Sequence, residues 1–487
     1  MITASAIVKH VRWAAVGTWG SKIVSLAIFV LLTRLLPVEA IGAIAMIAAY
    51  LAMLQLFGEA GLADYLVQAN ERDAAQEQTV FWTQLALGCC VAALLWLAAP
   101  LAAASMADSV PAEALVKAMA LNLPLVAAAR VPDALMRKQL EFKKLAFRNL
   151  AAALCGGIVG VICALRGYGV WSLVIKQLVE SVVALVAVML GARWRPRLRY
   201  SRATLGAPLR YGLGFLGARS LNVLHGRLDV LVIGWLLGPL ALGYYSVAMR
   251  VYQVVTEMFT SVIDSVAVPV LARAKHETDE LGRNFLRLVK GSSLLSMTAY
   301  AGLVALGPLV VEVAFGPNWS SAGPILRWLG VAGFIVGPLW FNGGVMLATG
   351  RAFAWMLVIG AYCVVGAVLF PLAALYAGAT GVAIAIVVRG LLLAPLSAGC
   401  ALRVAQVSVG RYIAAWTPNA AVAIAVALGA WLGASGASFA DLPLYLDLVA
   451  GAALGLISFL IVVPRLANGM WVKLLELGGL QRPSSLP

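Results

Sequence analysis

Apolar runs of about twenty residues recur from one end of this chain to the other, and they leave it few ways to fold. Hydrocarbon offers no water to the backbone, so a spanning segment closes its own hydrogen bonds as a helix or joins a closed barrel. A barrel would show short alternating segments instead of long runs. A mean hydropathy of +0.94, with 62% hydrophobic and 12% charged residues, excludes a soluble globular domain. The chain reads as an all-α polytopic membrane protein of about fourteen transmembrane helices. Their centres fall near residues 22, 50, 92, 121, 156, 181, 224, 257, 300, 335, 364, 390, 423 and 454. Lys9, His10 and Arg12 precede an apolar run that continues to Leu36, too long for a cleaved signal, so the first helix is expected to stay as an anchor.

The connections alternate in charge. One set is basic: Arg137, Lys138, Lys143, Lys144 and Arg148, then Arg193, Arg195, Arg197, Arg199, Arg202 and Arg210, then Arg273, Lys275, Arg283 and Arg287. The other set has few cations and adds Asp108, Glu113, Glu312, Asp441 and Asp447. Positive loops stay inside, which places both termini in the cytoplasm. The net charge of +15 therefore points to basic cytoplasmic loops and not to nucleic acid. No loop is long enough for a catalytic domain, so the chain does not read as an enzyme. Six cysteines sit inside apolar runs without disulfide or metal spacing, and three histidines are too scattered for a metal site. No cofactor is expected beyond a coupling ion, proton or sodium.

Two consecutive spans carry polar residues where hydrocarbon should be. Arg219, Asn222, His225 and Asp229 fall within one arc at about 100° per residue. Arg250, Gln253, Glu257, Ser261 and Asp264 are spaced three, four, four and three, again one helical face. A charge at the bilayer centre costs about 2.5–3.5 kcal/mol on insertion scales. Such stripes face each other as structural ion pairs, or they line a polar cavity for a charged cargo. For the cavity, Lys22, Arg219, Asn222, Arg250 and Gln253 are the candidate binding residues, with Asp229, Glu257 and Asp264 as coupling acids. Arg130, Lys176, Arg227, Lys290, Arg327 and Arg389 are further cations near membrane depth. Among them Lys176 has Glu180 four residues on, the spacing of a structural pair.

An internal repeat is visible. Leu35-Leu36-Pro37-Val38-Glu39-Ala40-Ile41-Gly42 returns 201 residues later as Leu236-Leu237-Gly238-Pro239-Leu240-Ala241-Leu242-Gly243. A fainter echo pairs Gly167-Tyr168-Gly169-Val170 with Gly378-Ala379-Thr380-Gly381-Val382. Two six-helix lobes in parallel repeat around a central cavity, 1–206 and 207–403, plus two C-terminal helices in 404–487, explain the pattern. Gly212-Leu213-Gly214-Phe215-Leu216-Gly217 fits a dinucleotide fingerprint but lacks the strand before it and lies in a span, so small residues for close helix contact explain it better.

Several stretches in order carry a resemblance. They are Leu56-Phe57-Gly58-Glu59-Ala60-Gly61-Leu62, Arg137-Lys138-Gln139-Leu140-Glu141-Phe142-Lys143-Lys144, Leu228–Gly234 with Leu242–Arg250, and Phe315-Gly316-Pro317-Asn318-Trp319. Together they resemble the polysaccharide transporter family of the multidrug/oligosaccharidyl-lipid/polysaccharide exporter superfamily, and within it Wzx-type flippases. The resemblance implies alternating access and an undecaprenyl-diphosphate-linked oligosaccharide cargo for exopolysaccharide, O-antigen or capsule synthesis. It also implies a bacterial inner membrane location, with a polysaccharide polymerase or export machinery as partners. Physically, arginine suits a diphosphate because it bonds phosphate oxygens bidentately. The alternatives are a multidrug cation antiporter of the same architecture, which would favour a carboxylate-lined cavity, and a membrane-embedded polymerase or glycosyltransferase, which would carry a sizeable outer loop with catalytic carboxylates.

Overall fold

The structure, a computed structural model, describes residues 4–59, 61–69, 73–103, 111–192, 194–262, 268–274, 277–439 and 443–466. Among them Asp264 does not appear, nor do Arg193, Lys275, Asp108 and Asp441 of the loops. The described residues are almost entirely helical, and none forms a strand. The first compact unit, residues 1–243, holds α1 (Ala4–Leu35), α2 (Val38–Glu59), α3 (Leu62–Gln68), α4 (Ala74–Leu97), α5 (Ala99–Ala103), α6 (Ala112–Ala120), α7 (Asn122–Lys138), α8 (Phe142–Leu165) and α9 (Trp171–Gly191). It also takes the first part of α10 (Gly206–Val262). The second unit, residues 244–487, takes the rest of α10 with α11 (Val268–Arg273), α12 (Thr278–Phe315), α13 (Ala322–Val336), α14 (Trp340–Ala348), α15 (Ala352–Ala405), α16 (Val409–Phe439) and α17 (Leu444–Leu466).

Among the described residues, eleven helical segments are long and apolar enough to cross a membrane, against the fourteen spans expected from hydropathy. The longest two, α10 and α15, are each two helices meeting at a sharp break. Gly238 (φ 80°) breaks α10 and Gly378 (φ 60°) breaks α15. Both lie in the left-handed region that glycine enters without a Cβ penalty, and Pro239 then restarts the helix with its φ already set. Large apolar side chains face outward, among them Leu97, Leu165, Trp235 and Leu375. That distribution suits a lipid surround and would be a liability in water.

The repeated turns meet inside the first unit. A methyl group on Gly42 would overlap the Pro239 carbonyl oxygen and lie 2.8 Å from the Gly243 nitrogen. A methyl on Gly243 would in turn overlap the Val38 carbonyl oxygen. Residues 38 and 239, and 42 and 243, are the equivalent positions of the two repeats, so the contact is reciprocal. Glycine at both sites lets backbone meet backbone. The fainter echo also resolves into glycine turns, since Gly167 (φ 82°) and Gly169 (φ 55°) join α8 to α9 as Gly378 joins the halves of α15.

The reciprocal contact makes a test. Gly243→Ala and Gly42→Ala should each lower the thermal midpoint of the detergent-purified protein by the equivalent of about 1–3 kcal/mol, the usual cost of overpacking. Gly214→Ala, where a Cβ meets nothing within 4 Å, should leave the midpoint unchanged or raise it.

Candidate functional site

The first unit encloses a polar cavity of about 370 Å³ between four helices. Ser21 and Ser25 face it from α1, Arg130, Asp133 and Arg137 from α7, Arg148 and Asn149 from α8, and Gln177, Glu180 and Ser181 from α9. Residues 130, 133 and 137 share a face because they are spaced three and four apart. Asp133 organises the cluster. Its side chain is 8% exposed, and it takes Arg137 Nε at 2.7 Å and the guanidinium of Arg148. Lys176 Nζ holds Glu180 at 2.7 Å, and Ser181 bonds Asn122 on a neighbouring helix. Low dielectric makes such a network worth keeping complete, since losing one partner strands a charge. The sequence reading has Arg130 and Lys176 as cations but misses Asp133, Arg148 and Glu180 as cavity groups. The 130/133/137 spacing was the available signal. That spacing alone does not show which helices face it.

That same connection fastens helix ends. Lys138 Nζ donates to the Ala69 carbonyl at 2.7 Å, at the end of α3, and Lys144 Nζ donates to the Gly191 carbonyl at 3.0 Å, at the end of α9. Cations there complement the helix dipole and satisfy terminal carbonyls. Leu140 takes a left-handed conformation (φ 56°) to make the turn.

On α10 in the first unit, Arg219 is half-exposed and pairs with Asp64 of α3 at 2.9 Å. Asp64 lies outside both polar stripes read from the sequence. Asp229 is 7% exposed and accepts from the Val230 N–H at 2.9 Å. Asn222 is exposed, and His225 and Arg227 are half-buried. The Gly-x-Gly-x-x-Gly stretch lies within this helix, with Gly212 against the backbone of Gly61. Lys22 on α1 lies over the Trp19 ring at 5.4 Å, next to Ser21 of the cavity.

In the second unit, Arg250, Gln253 and Glu257 are half-buried along one face of α10. A different face packs inward. Tyr252 and Phe259 contact the Tyr300 ring at 5.3 and 6.5 Å, and Thr256 bonds its hydroxyl at 2.7 Å. The polar stripe stands about 130° around the helix from that aromatic face, at 100° per residue. It is thus not part of that aromatic contact. Arg389 is buried with its guanidinium over the Phe370 and Tyr362 rings at 4.7 and 5.6 Å, so the α15 hairpin takes up its charge. Arg327 borders a mainly apolar cavity with Phe334 and Trp431. Lys290 lends its carbonyl to Asn419 at 2.8 Å. No group of three or more metal-ligating side chains gathers among the described residues.

Helices of bilayer length, apolar on the outside and carrying buried charges, define a polytopic α-helical membrane protein. Residues 31–324 match the model of a family described as polysaccharide biosynthesis protein, and the chain belongs to that family. It is 27% identical over 378 residues to the succinoglycan biosynthesis transport protein ExoT of Rhizobium meliloti (strain 1021), covering 76% of this chain and 75% of that one. It is 25% identical over 330 residues to the lipopolysaccharide biosynthesis protein WzxC of Escherichia coli (strain K12), covering 67% of each. In fold it is similar to the lipid II flippase MurJ in an inward closed conformation, with TM-score 0.77, 13% identity, and 94% of this chain and 99% of that one covered. An inward-facing multidrug resistance MATE family transporter of the MOP superfamily gives TM-score 0.64 at 17% identity, covering 79% and 95%. The superfamily fold expected from the motifs is therefore present.

The Asp133 cluster is open to a direct test. Asp133→Asn should lower stability by about 3 kcal/mol, because it leaves Arg148 buried without its carboxylate. Arg137→Gln, with a side chain 52% exposed, should cost under about 1 kcal/mol. Thermal unfolding of the two purified variants would rank them, and equal loss would show that Asp133 is not the organising group.

Proposed function

We propose that this protein is a flippase that carries undecaprenyl-diphosphate-linked oligosaccharide repeat units across the bacterial inner membrane by alternating access. The observation that carries the reading is the α10 stripe of Arg250, Gln253 and Glu257, which stands clear of its own unit's aromatic core in a member of a polysaccharide biosynthesis family. Arginine at membrane depth needs an anionic or wet partner, and a lipid diphosphate supplies about two negative charges whose oxygens a guanidinium bonds bidentately. The names of the relatives, a succinoglycan transport protein and a lipopolysaccharide biosynthesis protein, agree with such a cargo. A cation antiporter would want carboxylates in excess. Here the cations Lys22, Arg219 and Arg250 share the stripes with Asp229, Glu257 and Asp264, so carboxylates are not in excess.

In this reading Lys22, Arg219, Asn222, Arg250 and Gln253 hold the head group and first sugars. The lipid tail stays in the bilayer, and no bond is made or broken. Counting each broken helix as two and adding α1 gives fourteen passages, arranged as lobes 1–206 and 207–403 with 404–487 appended. Both termini are cytoplasmic, and the product passes to a polymerase or export machinery. Asp229, buried as it is, or Glu257 carries the coupling ion, proton or sodium, and Asp264 is the third candidate. Arg219 is then shared between Asp64 and the cargo during the cycle.

The test is glycan export per folded transporter in deletion cells carrying variants, normalised by detergent stability. Arg250→Ala and Lys22→Ala should lose at least about tenfold, the worth of a charge-assisted hydrogen bond, at normal protein levels. Arg250→Lys should keep part of the activity, since charge survives while the bidentate geometry is lost. Asp229→Asn should bind cargo but export without dependence on the ion gradient. Near-normal export by both alanine variants would remove the proposed head-group site.

A further inference from the structure

Between α9 and α10 the chain runs without helix over residues 194–201 and is fastened along α4. Gln78 bonds it twice: its Nε2 donates to the Arg195 carbonyl at 3.1 Å, and its Oε1 accepts from the Arg197 N–H at 2.7 Å. Trp82 Nε1 donates to the Arg197 carbonyl at 2.8 Å, and the Ser201 N–H donates to Thr79 Oγ1 at 3.1 Å. Trp194 anchors the start, buried with its ring 5.2 Å from Phe81. A tight turn follows. The Arg199 N–H returns to the Arg197 carbonyl at 2.7 Å, and Leu198 at its tip is 90% exposed. The strap is thus held to α4 by its backbone, while Arg195, Arg197 and Arg199 stay exposed.

Beneath the strap lies a cavity of about 970 Å³. Arg195, Arg197 and Arg199 line it together with Met189, Leu190 and Trp194, and Glu77 is its acid. Three guanidinium groups against one carboxylate favour an anion. The apolar wall, and Leu198 beside it, favour a ligand with hydrocarbon attached. A free anion would not use that wall, and a neutral lipid would not use the arginines.

We propose that this cavity holds the phosphodiester head group of an anionic phospholipid, with its acyl chains along Met189 and Leu190. Arg195, Arg197 and Arg199 contact the phosphate, and Leu198 dips into the interface. The leaflet is the cytoplasmic one by the orientation proposed above, whereas the binding itself does not depend on the cargo.

The test uses the full purified chain, delipidated in detergent and titrated with dioleoylphosphatidylglycerol or dioleoylphosphatidylcholine, with retained lipid counted by native mass spectrometry. Phosphatidylglycerol should be retained and phosphatidylcholine should not. Each arginine near an anionic surface contributes about fivefold, so R195Q/R197Q/R199Q together should weaken retention about a hundredfold. R195K/R197K/R199K should keep most of it, which separates loss of charge from loss of fold. R283Q/R287Q, basic positions on α12, should change it less than about twofold. Inorganic phosphate at millimolar concentration should not displace the lipid. Equal retention of the two lipids, retention unchanged by the glutamine variant, loss in the lysine variant, loss of more than tenfold in R283Q/R287Q, or full displacement by phosphate would each overturn the site. In whole cells a cysteine at Arg197 should stay unlabelled by an impermeant thiol reagent; labelling there would overturn the leaflet and leave the cargo reading to its own export assay.

Discussion

A charge in hydrocarbon must have a partner, and nearly every polar feature of this protein follows from how that demand is met. Most of the charges are satisfied by the chain itself. Asp133 is held by Arg137 and Arg148, Lys176 holds Glu180, and Arg389 lies between two aromatic rings. Lys138 and Lys144 close the ends of helices. Asp133–Arg148 ties α7 to α8, Lys138 reaches the end of α3 and Lys144 the end of α9, so these three fix helix neighbours, whereas Asp133–Arg137, Lys176–Glu180 and the Arg389 contacts are made within one helix or hairpin. Arg250 and Gln253 are a different case. They stand on a face of α10 that its own aromatic core does not use, and that position makes them the groups to which a cargo with phosphate oxygens is assigned.

The second constraint is backbone proximity. Where Gly42 and Gly243 meet the opposite turn, backbone lies against backbone, with the Val38 side chain beside Gly243. The two turns sit at equivalent places in repeats 201 residues apart, so each presents to the other the same carbonyl and the same glycine. A larger residue at either glycine would push the two turns apart.

Much of this was legible in the sequence. Hydropathy periods gave the helices because the solvent leaves the backbone no other option, and Gly238 and Gly378 marked the breaks because few other residues tolerate those angles. The repeat of Leu35–Gly42 at Leu236–Gly243 was visible, but its reciprocal contact was not, since a pattern holds no distance. The site was less legible. The spacing that put Arg219 and Asp229 on one arc could not reveal that Asp64, 155 residues earlier, takes Arg219. The Asp133 cluster escaped because the spacing of 130, 133 and 137 does not show that α1, α8 and α9 face it. Arginines 195, 197 and 199 read as a basic linker. Only the bonds from Gln78 and Trp82 show that the linker is a fixed strap.

The central claim is that the protein itself moves a diphosphate head group across a bilayer. The direct measurement is transbilayer movement in vesicles containing only the purified chain and a fluorescent undecaprenyl-diphosphate-linked sugar, followed by an impermeant quencher. The proposed mechanism predicts that labelled lipid crosses far faster than in protein-free vesicles, and that Arg250→Ala vesicles with equal folded protein return to the protein-free rate. Movement no faster than in protein-free vesicles, or equally fast with Arg250→Ala, would contradict it.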